Sequence, residues 1–294
     1  MGVSFMMKID NFAVIGGDKR QIAMAQSIAD DGHQVYAVGF DKVNFSNQVI
    51  KAELDEAIEK SDYIILPLPV TKDHVTLNAP YSESKITLND EFAKKLITKK
   101  VFCAMKSKLI KTSKIWNSIS LYDYFEREEF TVKNAVPTAE GAIEIAMHEY
   151  LGTINGSKCL VTGFGRIGKI LSRMLSGLGA DVTVSARKPQ DLAWIELLGY
   201  KSVRTSQILQ KSKYDIIFNT IPNLIFDYNT LSLCKKDAII IDLASLPGGV
   251  DFKAANKLGI KSIQALSLPG KVAPKAAGEI IKLTIYNMIQ EDAK

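Results

Sequence analysis

Cysteine and histidine are scarce in this chain, with three of each among 294 residues. Cys103, Cys159 and Cys234 stand far apart in apolar surroundings. That pattern reads as buried thiols of a reducing compartment, and excludes a disulfide framework. His33, His74 and His148 make no ligand spacing with them, so no metal is expected. No apolar run approaches the roughly 18 residues of a membrane span. Met1 to Lys8 lacks the apolar centre of a signal peptide. The expected location is the cytoplasm, with no membrane partner. A net charge of +5 is mild and spread along the chain. Without a basic stripe interleaved with aromatics, nucleic acid is not expected, and an anionic small molecule suits the charge as well.

What the chain has is a dinucleotide signature. Lys158 to Thr162 is an apolar strand running into Gly163-Phe164-Gly165-Arg166-Ile167-Gly168. Ile167, Ile170, Leu171, Met174, Leu175 and Leu178 recur at helical spacing, Gly179 stops the helix, and Val182 to Val184 starts a second strand. G-x-G-x-x-G in a strand–turn–helix–strand frame is a dinucleotide fingerprint. The first glycine permits the turn, the second lets a pyrophosphate approach, and the third lets helix lie on strand. The helix N-terminus adds unpaired N–H groups and partial positive charge. An NAD site usually places a carboxylate at the end of the second strand, to bind the ribose 2′-hydroxyl. Here Ser185, Arg187 and Lys188 stand there, a set that suits a 2′-phosphate. The expected cofactor is NADP(H), with NAD(H) left open.

A sequence of this length predicts two domains. Phe12 to Ile15, a turn from Gly16 to Gln21, a helix to Asp30 and a strand from His33 to Val38 repeat the same opening without pyrophosphate spacing. The fold class is therefore α/β, two Rossmann-like doubly wound domains with a cleft between them, crossed by two linking helices that would act as a hinge. The expected boundaries are 1–136, plus a C-terminal helix over 274–294, for the substrate domain, and 137–273 for the cofactor domain. One linking helix is predicted to open at Pro137-Thr138 with Thr138 as its cap. The other should open within Leu268–Lys275 and run to Gln290, packing Ile281, Ile285, Met288 and Ile289 on the first domain.

Candidate substrate residues lie where strands of the first half end. Asp18 and Arg20 follow the first strand; a cap for Asp18 and a nearby acid for Arg20 is the competing reading. Strand Asp62–Leu66 ends at two prolines and a long loop, Thr71 to Thr87, which holds His74. Lys106, with Ser107 and Lys108, follows strand Val101–Met105, either as a carboxylate binder or as a solvated turn. Glu140 and His148 are weaker candidates. In the second half, Asn219-Thr220-Ile221-Pro222 and Asp242-Leu243-Ala244 end buried strands beside the expected cofactor path. A helix is predicted near Asp191 to Leu198, and another near Thr205 to Lys211.

Seven stretches together resemble the family of dipicolinate synthase A subunits from spore-forming bacteria. They are Ala13–Gln21 (AVIGGDKRQ), Leu66–Asp73 (LPLPVTKD), Val136–Ile143 (VPTAEGAI), Val161–Lys169 (VTGFGRIGK), Asn219–Pro222 (NTIP), Ile241–Phe252 (IDLASLPGGVDF) and Leu268–Ile280 (LPGKVAPKAAGEI). Leu246 departs from the pattern, standing where a lysine is expected before Pro247. The resemblance implies oxidation of dihydrodipicolinate to dipicolinate, a pyridine dicarboxylate packed into spores, in the mother cell of a sporulating bacterium. It also implies a flavoprotein B subunit carrying FMN; a homo-oligomer is expected apart from the resemblance. Arg20, Lys106, Lys271 and Lys275 are then the cations expected to meet the two carboxylates. Asp18, Glu140, His74 and water are the candidate proton acceptors. Two other readings stand: a nucleotide-binding scaffold for the flavoprotein, and a dehydrogenase of another small acid. The two-domain plan is also similar to D-2-hydroxyacid dehydrogenases, but no histidine follows His148, and that disfavours their mechanism.

Overall fold

The computed structural model describes residues 9–46, 48–208 and 213–293. It divides into two compact units, one of 1–133 with 274–294 and one of 134–273.

The first unit is built on a six-stranded parallel sheet. Its strands are β1 (Asn11–Ile15), β2 (Gln34–Val38), β3 (Val49–Lys51), β4 (Tyr63–Ile65), β5 (Lys100–Cys103) and β6 (Ser120–Asp123), in the order β3-β2-β1-β4-β5-β6. Helices α1 (Lys19–Asp30), α2 (Leu54–Lys60), α3 (Asp90–Lys94) and α4 (Lys106–Leu109) lie between them in sequence. The central strands are apolar throughout because both faces are covered. One face packs Phe12, Val14, Val35 and Phe102 with Met24 and Ile28; the other packs Ala13, Ile15, Ile64 and Val101 with Phe92 and Trp116.

Helix α5 (Glu128–Glu149) carries the chain into the second unit. The same strand order returns there as β12-β11-β10-β7-β8-β9. The strands are β7 (Lys158–Thr162), β8 (Asp181–Ala186), β9 (Lys201–Arg204), β10 (Ile216–Asn219), β11 (Ile239–Asp242) and β12 (Lys261–Gln264), and the intervening helices are α6 (Arg166–Gly177), α7 (Pro189–Leu197), α8 (Tyr228–Ser232) and α9 (Phe252–Lys257). Then α10 (Leu268–Val272) ends the unit, and α11 (Pro274–Asp292) returns the chain to the first. These are two Rossmann-like, doubly wound α/β units. Ile281, Ile285 and Met288 of α11 join the core beneath α1, and Ile289 packs beside them. Among the cysteines, Cys103, Cys159 and Cys234 are all free and buried.

Four local expectations need correction. The linking helix does not open at Pro137: α5 begins nine residues earlier, at Glu128, and keeps Pro137 inside it. Proline removes one hydrogen bond, but Ala135, Ala139 and Ala142 bury a small-residue face that holds the helix through the lesion. Thr138 is accordingly not a cap, and its Oγ1 donates back to the Asn134 carbonyl (2.8 Å). The final helix is two helices, α10 and α11, parted at Ala273 before Pro274. Lys106-Ser107-Lys108 is a helical turn, α4, entered through Met105 at φ 60°. The helix expected near Thr205–Lys211 begins as a 3₁₀ turn, Thr205–Gln207; 209–212 lie outside the described residues.

Candidate functional site

The switch point of the second sheet lies between β7 and β10, where a doubly wound fold presents its ligand edge. The three glycines of the turn have three separate reasons. Gly163 sits at φ +91°, which disfavours side chains, and a Cβ there would stand 2.6 Å from Thr220 Oγ1. A Cβ on Gly168 would collide with the Gly163 carbonyl, so only glycine lets α6 pack this closely. Gly165 has nothing within 4 Å of its Cβ direction. It is the N-cap of α6 with no side-chain cap bond, which leaves the helix N-terminus to an incoming anion. Phe164 and Ile167 are half-buried, and Lys169 Nζ lies 5.2 Å from the Phe164 ring centre. Arg166 is exposed at the turn.

Behind that edge a buried polar chain sets the strand ends. Thr162 Oγ1 donates to Asn219 Oδ1 (2.6 Å), and Asn219 Nδ2 donates to Asp242 Oδ1 (2.7 Å) and the Ile221 carbonyl (3.0 Å). Asp242 also accepts from Ala244 N and Gly249 N. Asn219 and Asp242 are fully buried, so they hold the loops rather than face the edge. Leu243 and Ala244 are buried with them, whereas Thr220 and Ile221 are half-buried and Pro222 exposed. Ser185 is also fully buried, its hydroxyl 3.4 Å from Thr205 Oγ1. Arg187 and Lys188 are exposed after it. Arg204, which carried no signal in the sequence beyond its place before a turn, ends the neighbouring strand β9.

The first sheet has its switch point between β1 and β4. Gly16 and Gly17, at φ +68° and +121°, turn the chain into α1. Leu77, Ala79 and the Asn78 carbonyl close over Gly16, so the loop after β4 covers this turn. Asp18 caps α1 in a capping box with Gln21, whose Oε1 accepts from Asp18 N (3.0 Å). Arg20 is buried at 6% exposure. Its Nε and Nη2 grip the two Asp18 oxygens (2.9 and 2.7 Å), and Nη2 also donates to the Leu68 carbonyl. Nη1 has no partner among the described residues. Tyr124, missed by the sequence reading, donates to the Leu66 carbonyl (3.0 Å), two residues from the Arg20 contact. Burial pushes its phenol far above the usual value against the pull of Arg20.

The other candidates each have their own setting. His74 is exposed at φ 62°. Its loop is pinned by Asp73, whose carboxylate accepts from Thr76, Val75 and Thr71, and is held well below the carboxylate range by those bonds. Lys106 gives its Nζ to the Leu121 carbonyl (3.3 Å) and its N–H to Asp123 (2.7 Å). Glu140 and His148 are exposed on α5. Lys271, in the second unit, and Lys275, in the first, are exposed, without a partner among the described residues.

Two family models match in tandem. The model of the N-terminal domain of the dipicolinate synthase A subunit covers residues 11–125, and that of the D-isomer specific 2-hydroxyacid dehydrogenase NAD binding domain covers 131–247. The dipicolinate synthase A subunit of Bacillus subtilis is 34% identical over 283 residues, 95% of each chain. The chain belongs to the family of dipicolinate synthase A subunits. Crystal structures of members from Bacillus halodurans and Bacillus subtilis superpose at TM-scores of 0.86 and 0.85, each 33% identical. The first alignment covers 96% of this chain and 98% of the other; the second covers 97% of each. A transhydrogenase from Sinorhizobium meliloti, 14% identical with a TM-score of 0.68 over 95% of this chain and 93% of its own, shares the fold. The second unit is therefore a nicotinamide-dinucleotide domain of dehydrogenase type, and the protein is an oxidoreductase. Its turn fits the group: open space over Gly165 and an uncapped helix N-terminus. No helix among the described residues is long and apolar enough to cross a membrane.

Proposed function

We propose that this chain oxidises dihydrodipicolinate to dipicolinate, with NADP+ taking the hydride and water the proton. Gly163 to Gly168 would hold the pyrophosphate on bare peptide N–H groups, with Arg187 and Lys188 at the adenosine end. The first unit is assigned the dicarboxylate. The observation that carries this half is Arg20. A guanidinium that is buried, fixed by Asp18 and Leu68, and left with one unpartnered nitrogen at a switch point is preorganised for a carboxylate. Lys106 and Lys275, in the same unit, are the further cations assigned to the dicarboxylate, and Lys271 is assigned to the second unit's share of the charge neutralisation. Asp18 is committed to Arg20 and to its helix, which is why the proton is assigned to water rather than to a side chain. Aromatisation supplies the drive, so the protein's task is orientation and charge neutralisation.

The test is steady-state oxidation of dihydrodipicolinate by the purified chain, followed at the nicotinamide absorbance, for the parent and Arg20→Ala. KM for the dicarboxylate should rise strongly while NADP+ affinity stays put; identical kinetics would remove Arg20 from the site. A second reading is favoured by the engagement of Asp18 and by the relatives' being named as one subunit of a synthase: the chain binds nucleotide and a flavoprotein B subunit with FMN performs the redox step. Turnover that begins only when the partner is added selects that reading.

A further inference from the structure

The second unit has a cavity of about 570 Å³ at the ends of β8 and β9. Arg187 and Arg204 stand on its rim. Ala186 pairs with Arg204 across the two strands, so the arginines follow from neighbouring chains roughly 5 Å apart. Neither has a partner among the described residues, and the lining contains no carboxylate at all. Thr205 and Ser206 add hydroxyl donors to the lining, and Ile225 and Leu233 add apolar surface. Two guanidiniums, hydroxyls and apolar side chains, without one acid, are the groups that a phosphorylated ribose and its base call for.

We infer that Arg204 is the second arm of a clamp on the 2′-phosphate of NADP(H), and that Arg187 and Arg204 together decide NADP over NAD. This rests on the nicotinamide-dinucleotide reading above, and it changes that reading's detail. Ser185 drops out, because its hydroxyl is buried against Thr205, and the third strand supplies a specificity residue. The adjacent Asp191, in the first turn of α7, does not line the cavity.

The test is calorimetric titration of the full-length protein, which needs no substrate. Arg204→Gln should weaken NADP+ binding roughly ten- to a hundredfold, the loss of one charge-assisted contact, and leave NAD+ affinity in place. Arg187→Gln should do the same. On the parent, adenosine 2′,5′-bisphosphate should displace NADP+ far better than 5′-AMP does, a result that needs no variant to fold. An unchanged NADP+ to NAD+ preference in a folded Arg204→Gln protein, or equal competition by the two adenosine nucleotides, overturns the clamp. The clamp present without oxidation of dihydrodipicolinate would sink the substrate assignment alone; turnover with no 2′-phosphate preference would sink the clamp alone.

Discussion

Adding one methyl group at two neighbouring glycines should separate ligand binding from folding. Gly165 has φ −82° and ψ −164°, a backbone that alanine also adopts, and its Cβ direction is empty to 4 Å. Gly165→Ala should therefore leave the melting temperature unchanged or raise it slightly, since such replacements stabilise by about 0.4–1 kcal/mol through the unfolded chain. The same methyl occupies the space through which a pyrophosphate reaches the α6 N–H groups. Loss of one charge-assisted hydrogen bond there is worth about 1.5–3 kcal/mol, which predicts roughly ten- to hundredfold weaker nucleotide binding. Gly168→Ala is the mirror case. Its Cβ has no room against the Gly163 carbonyl, so α6 must move away from β7. Overpacking of this kind costs about 1–3 kcal/mol, or about 4–12 °C at roughly 4 °C per kcal/mol. Differential scanning calorimetry and a fluorescence titration with NADP+ read both quantities on the same samples. A Gly165→Ala protein that binds NADP+ like the parent would refute the placement of the nucleotide. One that melts well below the parent would refute the open space.

Three further outcomes are expected. Asp242→Asn should lower the melting temperature by several degrees, because an amide oxygen that keeps Asn219 Nδ2 and Ala244 N turns its NH2 towards Gly249 N, donor against donor, about 1–3 kcal/mol for a buried group left unpaired; an unchanged melt would show that the network adds nothing. Lys282 is pushed down by burial, but its bonds to Asp31 and Glu279 outweigh that and leave its pKa raised. Its contribution to stability is then complete below the free lysine value, about 10.4, and lost as pH rises through the folded value. Lys282→Met should flatten the alkaline limb of a urea-stability profile while matching its slope at neutral pH. Burial pushes the Cys159 and Cys234 thiols up to about 11, and Cys103 further, so native protein at pH 8 should resist a disulfide reagent that modifies all three thiols in guanidinium.

Which features could be read from sequence follows the range of the interactions that make them. The fingerprint turn, the buried strands β10 and β11 and the apolar face of α11 depend on neighbours within a few residues, and their periodicity is visible. The edge strands β3 and β9 are three and four residues long, with Val49 their one buried residue, and carry too few apolar positions to show. Pro137 misled because packing of Ala135, Ala139 and Ala142 overrides a local breaker, and only the folded unit holds that information. The site divides the same way. Gly163 to Gly168 announce themselves, whereas the contact of Arg20 with Leu68 joins residues 48 positions apart, and that of Tyr124 with Leu66 joins residues 58 apart. Arg204 becomes a candidate only once β9 is laid beside β8.

The two sheets share one strand order, so topology cannot be what gives the dinucleotide to one unit, or the proposed dicarboxylate to the other. The difference lies in what meets the first helix of each. In the second unit Gly165 offers α6 no side chain, and the N-terminal N–H groups await an anion. In the first, Asp18 already supplies one: its carboxylate and the Gln21 amide satisfy the end of α1 from within. A pyrophosphate arriving there would meet a carboxylate where it needs peptide donors. Arg20 balances that carboxylate and keeps Nη1 to spare, which is why the proposed ligand of this edge is a smaller anion at the guanidinium rather than a phosphate at the helix. Asp18→Gly tests the logic. It should release Arg20 and bare α1 together, lowering stability through the lost cap by about 1 kcal/mol or less and weakening dicarboxylate use by freeing a guanidinium that was held in place. If Asp18→Gly leaves dicarboxylate kinetics untouched, the ion pair is a cap for the helix and nothing more.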